Sequence, residues 1–211
     1  MLATLEKNEL CKAAQMLHYV RYNKFESIFH QGAPVIGWYL LCRGWAKLIF
    51  STSQGKRVLL KFCRSGNILG GVACEVHVVS AVAMSEAVAC LIPPDVAGAL
   101  VRQHPEITLE TSRRLARDRH MLLGRLAYLP YGSVRERLAK GLLELGDCYG
   151  VHCEQGLLID IPLTQRDLAD LIGTSRQKVN LNLRKFVDQG LIRTKRGRII
   201  ILDQQGLREL G

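Results

Sequence analysis

The spacing of hydrophobic residues changes along the chain, and each change predicts a different kind of secondary structure. Residues 2–20 have the pattern of one or two short helices, whereas residues 24–92 consist of short β-forming runs separated by glycine turns. The runs are WYLLC, AKLIFST, RVLLKFC, HVVSAVAM and AVACLIP. Many short strands at regular spacing are typical of an antiparallel barrel or sandwich, which we predict for this half of the chain.

Helical spacing returns after the proline pair at 93–94. The segment HPEITLETSRRLARDRHMLLGRLAYLP has no interior proline. Leu115, Leu122 and Leu129 recur every seven residues along it, and Met121 and Leu126 widen this apolar stripe. A helix of this length is typical of pairing with a second copy of itself, so we predict a dimerisation helix over about 105–129. Because Arg119 and Arg125 fall near the seam, packing against the chain's own barrel is the alternative.

Two helices joined by a glycine turn are predicted within PLTQRDLADLIGTSRQKVNLNLRKFVDQGLI. Thr164 and Asp167 have the spacing of a capping box, and Gly173 supplies the freedom that the C-terminal end of the first helix needs. Thr174 and Gln177 have the same spacing and predict the start of the second helix. A helix-turn-helix places its second helix in the DNA major groove. The sequence LIRTKRGRIIIL then predicts a basic β-hairpin, or wing, against phosphates.

The charge and the apolar positions of the second helix both favour DNA binding. The chain has a net charge of +10, and residues 173–202 carry eight basic residues against the single acid Asp188. A buried side is predicted for Val179, Leu183, Phe186 and Val187. Leu181 falls among polar residues on the other side, where it could contact a thymine methyl group. A protein-docking surface is the alternative, and the local charge weighs against it.

Other classes of protein fit the sequence less well. No uncharged apolar run reaches the length of a membrane span, and the N-terminus lacks the pattern of a signal peptide, so we expect a cytoplasmic protein without membrane contact. The seven cysteines are expected to be mostly reduced. The nearest approach to a metal motif, CYGVHC, lacks a second ligand pair, so we predict a polar surface loop and no metal. Motifs of phosphate loops, zinc proteases and serine hydrolases are absent, so we expect no enzyme.

The chain resembles the Crp–Fnr family of homodimeric bacterial transcription regulators over nearly its whole length. Gly32, the stretch WYLLCRGWAKL with Gly44, and RSGNILGG follow the family's order, and LTQRDLADLIGTSRQKVN matches its DNA-binding signature closely. The resemblance implies an α+β fold with a β-roll sensor (1–104), a dimerisation helix (105–130) and a winged helix-turn-helix (131–211). It also implies a homodimer on a two-fold symmetric double-stranded DNA site, with RNA polymerase as a further candidate partner.

The DNA-contacting positions follow from the resemblance together with the charged face. The family positions that contact DNA fall on Thr164 for phosphate, and on Arg176, Gln177 and Leu181 for bases. Better-known members carry glutamate at 177 and arginine at 181, so we predict a different half-site, richer in A·T. Gln177 could instead serve as the capping partner of Thr174. The full predicted set is Thr164, Ser175, Arg176, Gln177, Lys178, Asn180, Leu181, Arg184, Lys195, Arg196 and Arg198.

The sensor half departs from cyclic-nucleotide-binding members at its candidate pocket, which is Gly70, Gly71, Val79 and Ser80. Gly71 occupies the position of the ribose-binding glutamate of those members. Val79 and Ser80 occupy the positions of the Arg-Ser pair that binds their cyclic phosphate. Burying a cyclic phosphate without a cation is costly, so we expect a different small molecule, whose identity the sequence does not give.

An iron–sulfur cluster is not expected, since only Cys11 precedes Cys42. We expect no cofactor. The alternatives are haem or thiol-redox sensing at Cys74 and His77, and control by abundance alone.

Overall fold

A computed structural model describes residues 18–70, 75–195 and 197–210, with Lys195 described by its backbone alone. The chain separates into two units, each with its own core. The first takes the residues up to Lys56 together with Leu60–Leu122, and the second takes Arg57–Leu59 together with the residues from Leu123 onward. No helix in the described ranges is both long enough and apolar enough to cross a membrane.

The first unit is built on two antiparallel four-stranded sheets. Its strands are β1 (His18–Tyr22), β2 (Ser27–Phe29), β3 (Trp38–Arg43), β4 (Trp45–Ser51), β5 (Arg57–Arg64), β6 (Ile68–Leu69), β7 (Ser80–Ala83) and β8 (Ala87–Ile92). The sheets have the orders β1-β8-β3-β6 and β2-β7-β4-β5. Leu41, Ala46 and Ala89 are among the buried side chains of their core. The predicted antiparallel β architecture is therefore confirmed.

The strand prediction was incomplete at the short elements. The five predicted runs contain β3, β4, β5, β7 and β8, but β2 and β6 have only three and two residues and escaped detection. Residues 18–20 were predicted as helical and belong instead to β1, where Tyr19 pairs with Cys90 of β8. The rest of that predicted helical segment, up to residue 17, lies outside the described residues.

Two helices follow the sheets, α1 (Pro94–Gln103) and α2 (Pro105–Tyr128), which confirms the long helix. The N-terminal part of α2 is anchored within the first unit. Arg114 donates to the carbonyl of Gly66 at 2.9 Å, and Lys61 of β5 forms an ion pair with Asp118. The side of α2 that carries Arg114 and Asp118 therefore faces its own sheet.

The exposed apolar residues of α2 coincide only in part with the predicted stripe. Leu122 and Leu129 of the predicted stripe are half-buried within the chain. Leu109, Ala116 and Leu123 are exposed and recur every seven residues, with the exposed Leu126 beside them. Arg125, placed near the seam by its spacing, is only 4% exposed and pairs with Glu144. Two members of the predicted stripe, Leu115 and Leu126, are nevertheless 63% and 64% exposed, so part of that stripe remains accessible. The dimer seam itself stays a prediction.

The second unit contains the helix-turn-helix. Its elements are α3 (Val134–Tyr149), β9 (Gly150–Cys153), β10 (Gly156–Ile159), α4 (Gln165–Ile172), α5 (Arg176–Asp188), β11 (Ile192–Lys195), β12 (Arg198–Ile201) and α6 (Gln204–Arg208). The strands form one antiparallel sheet in the order β11-β12-β10-β9. The core of this unit includes Phe186 of α5, Leu138 of α3 and Ile159 of β10, which are fully buried. The predicted wing is the β11–β12 hairpin, in which Lys195 pairs with Arg198.

Candidate functional site

The start of α4 is fixed by a complete capping box. The Thr164 hydroxyl accepts from the Asp167 amide at 3.1 Å and donates to its carboxylate at 2.7 Å, while the Thr164 amide donates to the same carboxylate at 2.9 Å. This confirms the predicted box. The single hydroxyl proton of Thr164 is therefore already donated within the protein. A phosphate near Thr164 would be contacted by the unsatisfied amides at the start of α4.

The turn between the helices depends on one glycine. Gly173 has φ 65° and ψ 50°, the left-handed conformation that ends a helix at low cost only for glycine and a few polar residues. The amide of Thr174 then donates to the carbonyl of Ala169 at 3.0 Å. The predicted C-terminal cap of α4 is confirmed.

The cap of α5 lies one residue later than its sequence pattern predicts. Ser175 is the N-cap, and its hydroxyl oxygen accepts from the amide of Lys178 at 3.3 Å. The Thr174–Gln177 capping box is therefore a wrong prediction, and so is the interpretation of Gln177 as a capping residue. The side chain of Gln177 is exposed and has no hydrogen-bond partner among the described residues. It is available to an external partner.

The two sides of α5 differ sharply in burial. Val179, Leu183 and Phe186 are at most 6% exposed and anchor the helix to the core of the second unit. Val187 was predicted on this side but is 40% exposed, so that assignment was wrong. The outer side is polar, with Leu181 standing 55% exposed in its middle. Burying the exposed half of that leucine would stabilise a complex by about 1–1.5 kcal/mol.

The outer side of α5 presents cations without acidic partners in the described part of the chain. Arg176, Lys178 and Arg184 are all exposed, and none forms an ion pair with a described carboxylate. Arg176 makes one long hydrogen bond, from its Nε to Oε1 of Gln165 at 3.5 Å. Asn180 lies one turn after Arg176 and accepts from Nε2 of the same glutamine at 3.3 Å. The pattern of the sequence did not single out Gln165, whose contact depends on how closely α4 approaches α5.

The wing completes the basic surface. Arg198 has a 61% exposed side chain and reaches Asp160 only at 3.9 Å, a distance at which an exposed ion pair is weak. The side chain of Lys195 and all of Arg196 lie outside the described residues. A cleft of about 500 Å³ separates the wing from α5 and the start of α4. Its rim includes Thr164, Asn180, Arg184 and Arg198, so these four predicted DNA contacts surround one depression.

In the first unit, Gly70 and His77 of the candidate effector region come together. Gly70 has φ 77°, and a Cβ built on it would lie 3.1 Å from Cε1 of His77. His77 is 4% exposed and stacks on Phe29 with ring centroids 3.8 Å apart. Its Nε2 is buried without a partner among the described residues, and burial lowers the pKa of the imidazole. His77 is thus a neutral core histidine.

Val79 and Ser80 are already engaged within the same unit. Val79 packs against the core of the two sheets, and the Ser80 hydroxyl accepts from the amide of Gln31 at 2.9 Å. Neither side chain is a cation. Gly71, the fourth candidate pocket residue, lies outside the described residues.

The haem and thiol alternatives find little geometric support. The His77 ring is buried and stacked on Phe29, with its Nε2 inaccessible, so the described residues offer no open face for a haem there. Cys74 and Cys11 lie outside the described residues. Burial raises the pKa of Cys63 to about 12 and that of Cys90 to about 11, so both thiols stay protonated and unreactive at neutral pH.

The segment CYGVHC is not the surface loop that was predicted. Cys148 lies in α3, and His152 and Cys153 lie in β9, where His152 pairs with Leu157. The strand forms because Gly150 ends α3 in an extended conformation and directs the chain into the sheet. Across residues 18–70, 75–195 and 197–210, no three metal-ligating side chains cluster.

Two family models match the chain. The cyclic nucleotide-binding domain matches residues 19–104, and the Crp-like helix-turn-helix domain matches residues 136–210. A CRP-like cAMP-activated global transcriptional regulator of Mycobacterium tuberculosis is 27% identical over 206 residues, which cover 96% of this chain and 92% of that protein. The transcriptional regulator LdrP of Thermus thermophilus is 28% identical over 195 residues, covering 90% and 96%.

The fold has a close counterpart among solved structures. A CooA mutant from Carboxydothermus hydrogenoformans is similar with a TM-score of 0.84 at 22% sequence identity. The similarity covers 99% of this chain and 92% of that chain. The order of a sheet-rich unit, a long helix and a helix-turn-helix is therefore shared over the whole length.

Proposed function

Because the chain belongs to the Crp–Fnr family of DNA-binding transcription regulators, we propose that it is a homodimeric, sequence-specific regulator whose β-roll responds to an effector other than a cyclic nucleotide. In this proposal residues 1–104 form the sensor, 105–130 the dimerisation helix and 131–211 the DNA-binding domain. The protein works in the bacterial cytoplasm, and RNA polymerase is its candidate partner at promoters.

The exposed side of α5 is the single observation that carries the DNA-binding part. Arg176, Gln177 and Leu181 lie within two turns of the helix N-terminus, which is the part of a recognition helix that reaches base edges. Arginine pairs with guanine through two hydrogen bonds, glutamine with adenine, and an apolar side chain packs on the thymine methyl group. These three side chains would contact bases and give the site its sequence.

Phosphates would be held around the base-contacting residues. Lys178, Arg184 and the wing residues Lys195, Arg196 and Arg198 supply positive charge, and Ser175 keeps a hydroxyl proton that no described residue accepts. Asn180 and the amides beside Thr164 lie on the rim of the same cleft. Such contacts fix the register of the protein on the duplex and carry no sequence information.

A selection of binding sites from a randomised duplex pool, followed by titration of the selected duplex against salt, tests this function. We expect a two-fold symmetric site with half-sites about one helical turn apart. The logarithm of the affinity should fall linearly with the logarithm of the salt concentration, by about 0.9 for each phosphate neutralised. Failure to enrich any sequence would contradict the proposal.

The exposed seam of α2 supports the homodimer. Leu109, Leu123 and Leu126 are 54–64% exposed and, with Ala116, lie on one side of the helix. Pairing two such helices would bury these side chains against their copies. Light scattering should give the mass of a dimer at micromolar concentration. Leu123→Arg should shift it towards the monomer, whereas Val151→Arg, at an equally exposed valine of β9, should not.

The sensor pocket supports an effector without a cyclic phosphate. Val79 offers no charge, the Ser80 hydroxyl already accepts an amide, and the neutral His77 is the imidazole next to Gly70. None of the described candidate pocket residues supplies the cation that would offset the loss of hydration of a buried anion. Titration calorimetry with cyclic AMP and cyclic GMP should show no micromolar binding. Saturable binding of either at that affinity would contradict this part while leaving the DNA-binding part intact.

A further inference from the structure

The side chain of Gln165 connects the two helices of the helix-turn-helix on their outer side. Gln165 is the first residue of α4 and is half-buried. Its Oε1 accepts from Nε of Arg176 at 3.5 Å, and its Nε2 donates to Oδ1 of Asn180 at 3.3 Å. Arg176 and Asn180 are four residues apart and therefore lie on the same face of α5. One amide group thus bridges two consecutive turns of that helix.

The polarity of this bridge follows from the chemistry of its members. A guanidinium has only donors, so the amide must turn its oxygen towards Arg176. Its nitrogen then faces Asn180 and donates to the Oδ1 of that residue. Each hydrogen bond orients the next, so the amide of Gln165 has one orientation that satisfies both neighbours. The Nε edge of Arg176 is held by the protein, and the two terminal nitrogens remain free.

We propose that Gln165 is a positioning residue that holds Arg176 in the orientation needed to contact a base. This proposal rests on the function proposed above and adds a residue that the family resemblance did not assign. An exposed arginine otherwise populates many rotamers, and ordering it on DNA has an entropic cost. Restraint at Nε lowers that cost and favours the geometry in which both terminal nitrogens point away from the protein. Gln165 therefore contributes to specificity without contacting a base.

Replacement by methionine tests the proposal with little change in volume. Gln165→Met removes both hydrogen bonds, and we expect the preference for the base pair contacted by Arg176 to fall by about three- to tenfold, the range of a single weak hydrogen bond. Affinity for unrelated DNA should stay the same. Gln189→Met is the matched control, since it removes the bond from Arg135 to Gln189 at the far end of α5 and should change neither quantity.

A second pair of variants distinguishes positioning from other roles. Gln165→Glu keeps an acceptor for Arg176, so the preference at that base pair should persist even though the added negative charge weakens binding to every sequence. In an Arg176→Ala background, Gln165→Met should have no further effect on that preference. Thermal melts of every variant check that the winged helix is intact.

Three results would overturn the proposal. The first is an equal loss for all sequences in Gln165→Met, which would indicate a direct phosphate contact. The second is an unchanged base preference, and the third is a loss that persists without Arg176. The wild-type protein shows separately whether the chain binds DNA, and Arg176→Ala shows whether Arg176 contacts a base. Failure of the positioning role is therefore distinguishable from failure of the proposed function.

Discussion

Arg125 of α2 and Glu144 of α3 form a buried ion pair in which the guanidinium meets the carboxylate through several hydrogen bonds. Nε of Arg125 lies 3.1 Å from Oε1 and 2.9 Å from Oε2, and a terminal nitrogen also donates to Oε1. The side chains are only 5% and 19% exposed. Because each charge has lost most of its hydration, each depends on the other for compensation.

Removing one member of this pair should therefore be costly. We expect Arg125→Met to lower the free energy of unfolding by about 3–5 kcal/mol, since Glu144 is left as an uncompensated buried charge. The double variant Arg125→Met, Glu144→Met should recover a large part of the loss because neither charge remains. Chemical denaturation of the wild type, Arg125→Met, Glu144→Met and the double variant measures this. Strict additivity of the two single losses would contradict the interpretation.

Arg176→Ala should affect one base pair. The arginine lies at the start of α5 with its terminal nitrogens free, so we expect the variant to lose about 1–3 kcal/mol on the selected site and to relax the preference at a single position in each half-site. Binding to a series of single-base substitutions checks this. A uniform loss over all sequences would show that α5 does not contact bases through Arg176.

Arg198→Ala should behave in the opposite way. Its side chain is 61% exposed and only weakly paired, which suits a phosphate contact from the wing. We expect a similar loss for every duplex and a salt dependence that is shallower by about 0.9, the contribution of one phosphate. Arg193→Ala is the matched control, since Arg193 is occupied by Gln155 at 3.0 Å. A change in base preference for Arg198→Ala would rule out the phosphate role.

Leu181 gives a test on the DNA rather than the protein. Packing of this exposed leucine on a thymine methyl group predicts that uracil at the same position should weaken binding, since uracil lacks the methyl group. Leu181→Ala should give a similar loss, and the two changes together should cost little more than either one. Fluorescence anisotropy titrations of the four combinations form the cycle. Independent losses would mean that the leucine packs elsewhere.

His77 should make the stability of the sensor unit depend on pH. Burial lowers its pKa in the folded protein below the usual value of about 6.5, so below that pH the unfolded chain takes up a proton that the folded one does not. Stability is therefore lost as the pH falls through about 6.5 towards the folded pKa. His77→Phe keeps a ring on Phe29 without titrating, so its melting temperature should fall less between pH 7.5 and 5.5. His152→Phe, at an exposed histidine, should keep the wild-type dependence.

The local patterns of the sequence predicted which helices form better than the residue at which each helix begins. The box at Thr164 was found correctly because Asp167 is the acid at the required spacing. The same logic failed at the start of the next helix, α5, where Thr174 and Ser175 are adjacent candidates. Gly173 and Thr174 complete the turn, which leaves Ser175 as the cap. Two equally suitable hydroxyls make a capping pattern ambiguous, and only the closed turn decides between them.

Contacts between distant parts of the chain account for the remaining errors. The stripe through Leu115 and Leu122 satisfies the heptad pattern, but Leu115 is exposed whereas Leu122 is half-buried. The contacts of Arg114 and Asp118 within the first unit, which the pattern does not show, help to set which side of α2 faces the sheet. Gln165 was missed for the same reason. A glutamine at the start of a helix has no distinctive spacing, and its importance appears only when α4 brings it beside Arg176.

The position of the wing in its sheet has a further consequence for the free protein. β11 is an outer strand in the order β11-β12-β10-β9, so one row of its backbone groups has no neighbouring strand. Unpaired backbone groups on an outer strand can pair with the same strand of another molecule and cause aggregation. Natural sheets reduce this pairing by placing charged residues, especially lysine, on the outer strand. Arg193 and Lys195 stand on β11. Of these two, Lys195 is a proposed phosphate contact and Arg193 is not, yet both cations would keep the outer strands of different molecules apart. We therefore expect neutralising either one to lower solubility, and neutralising Lys195 to weaken DNA binding as well.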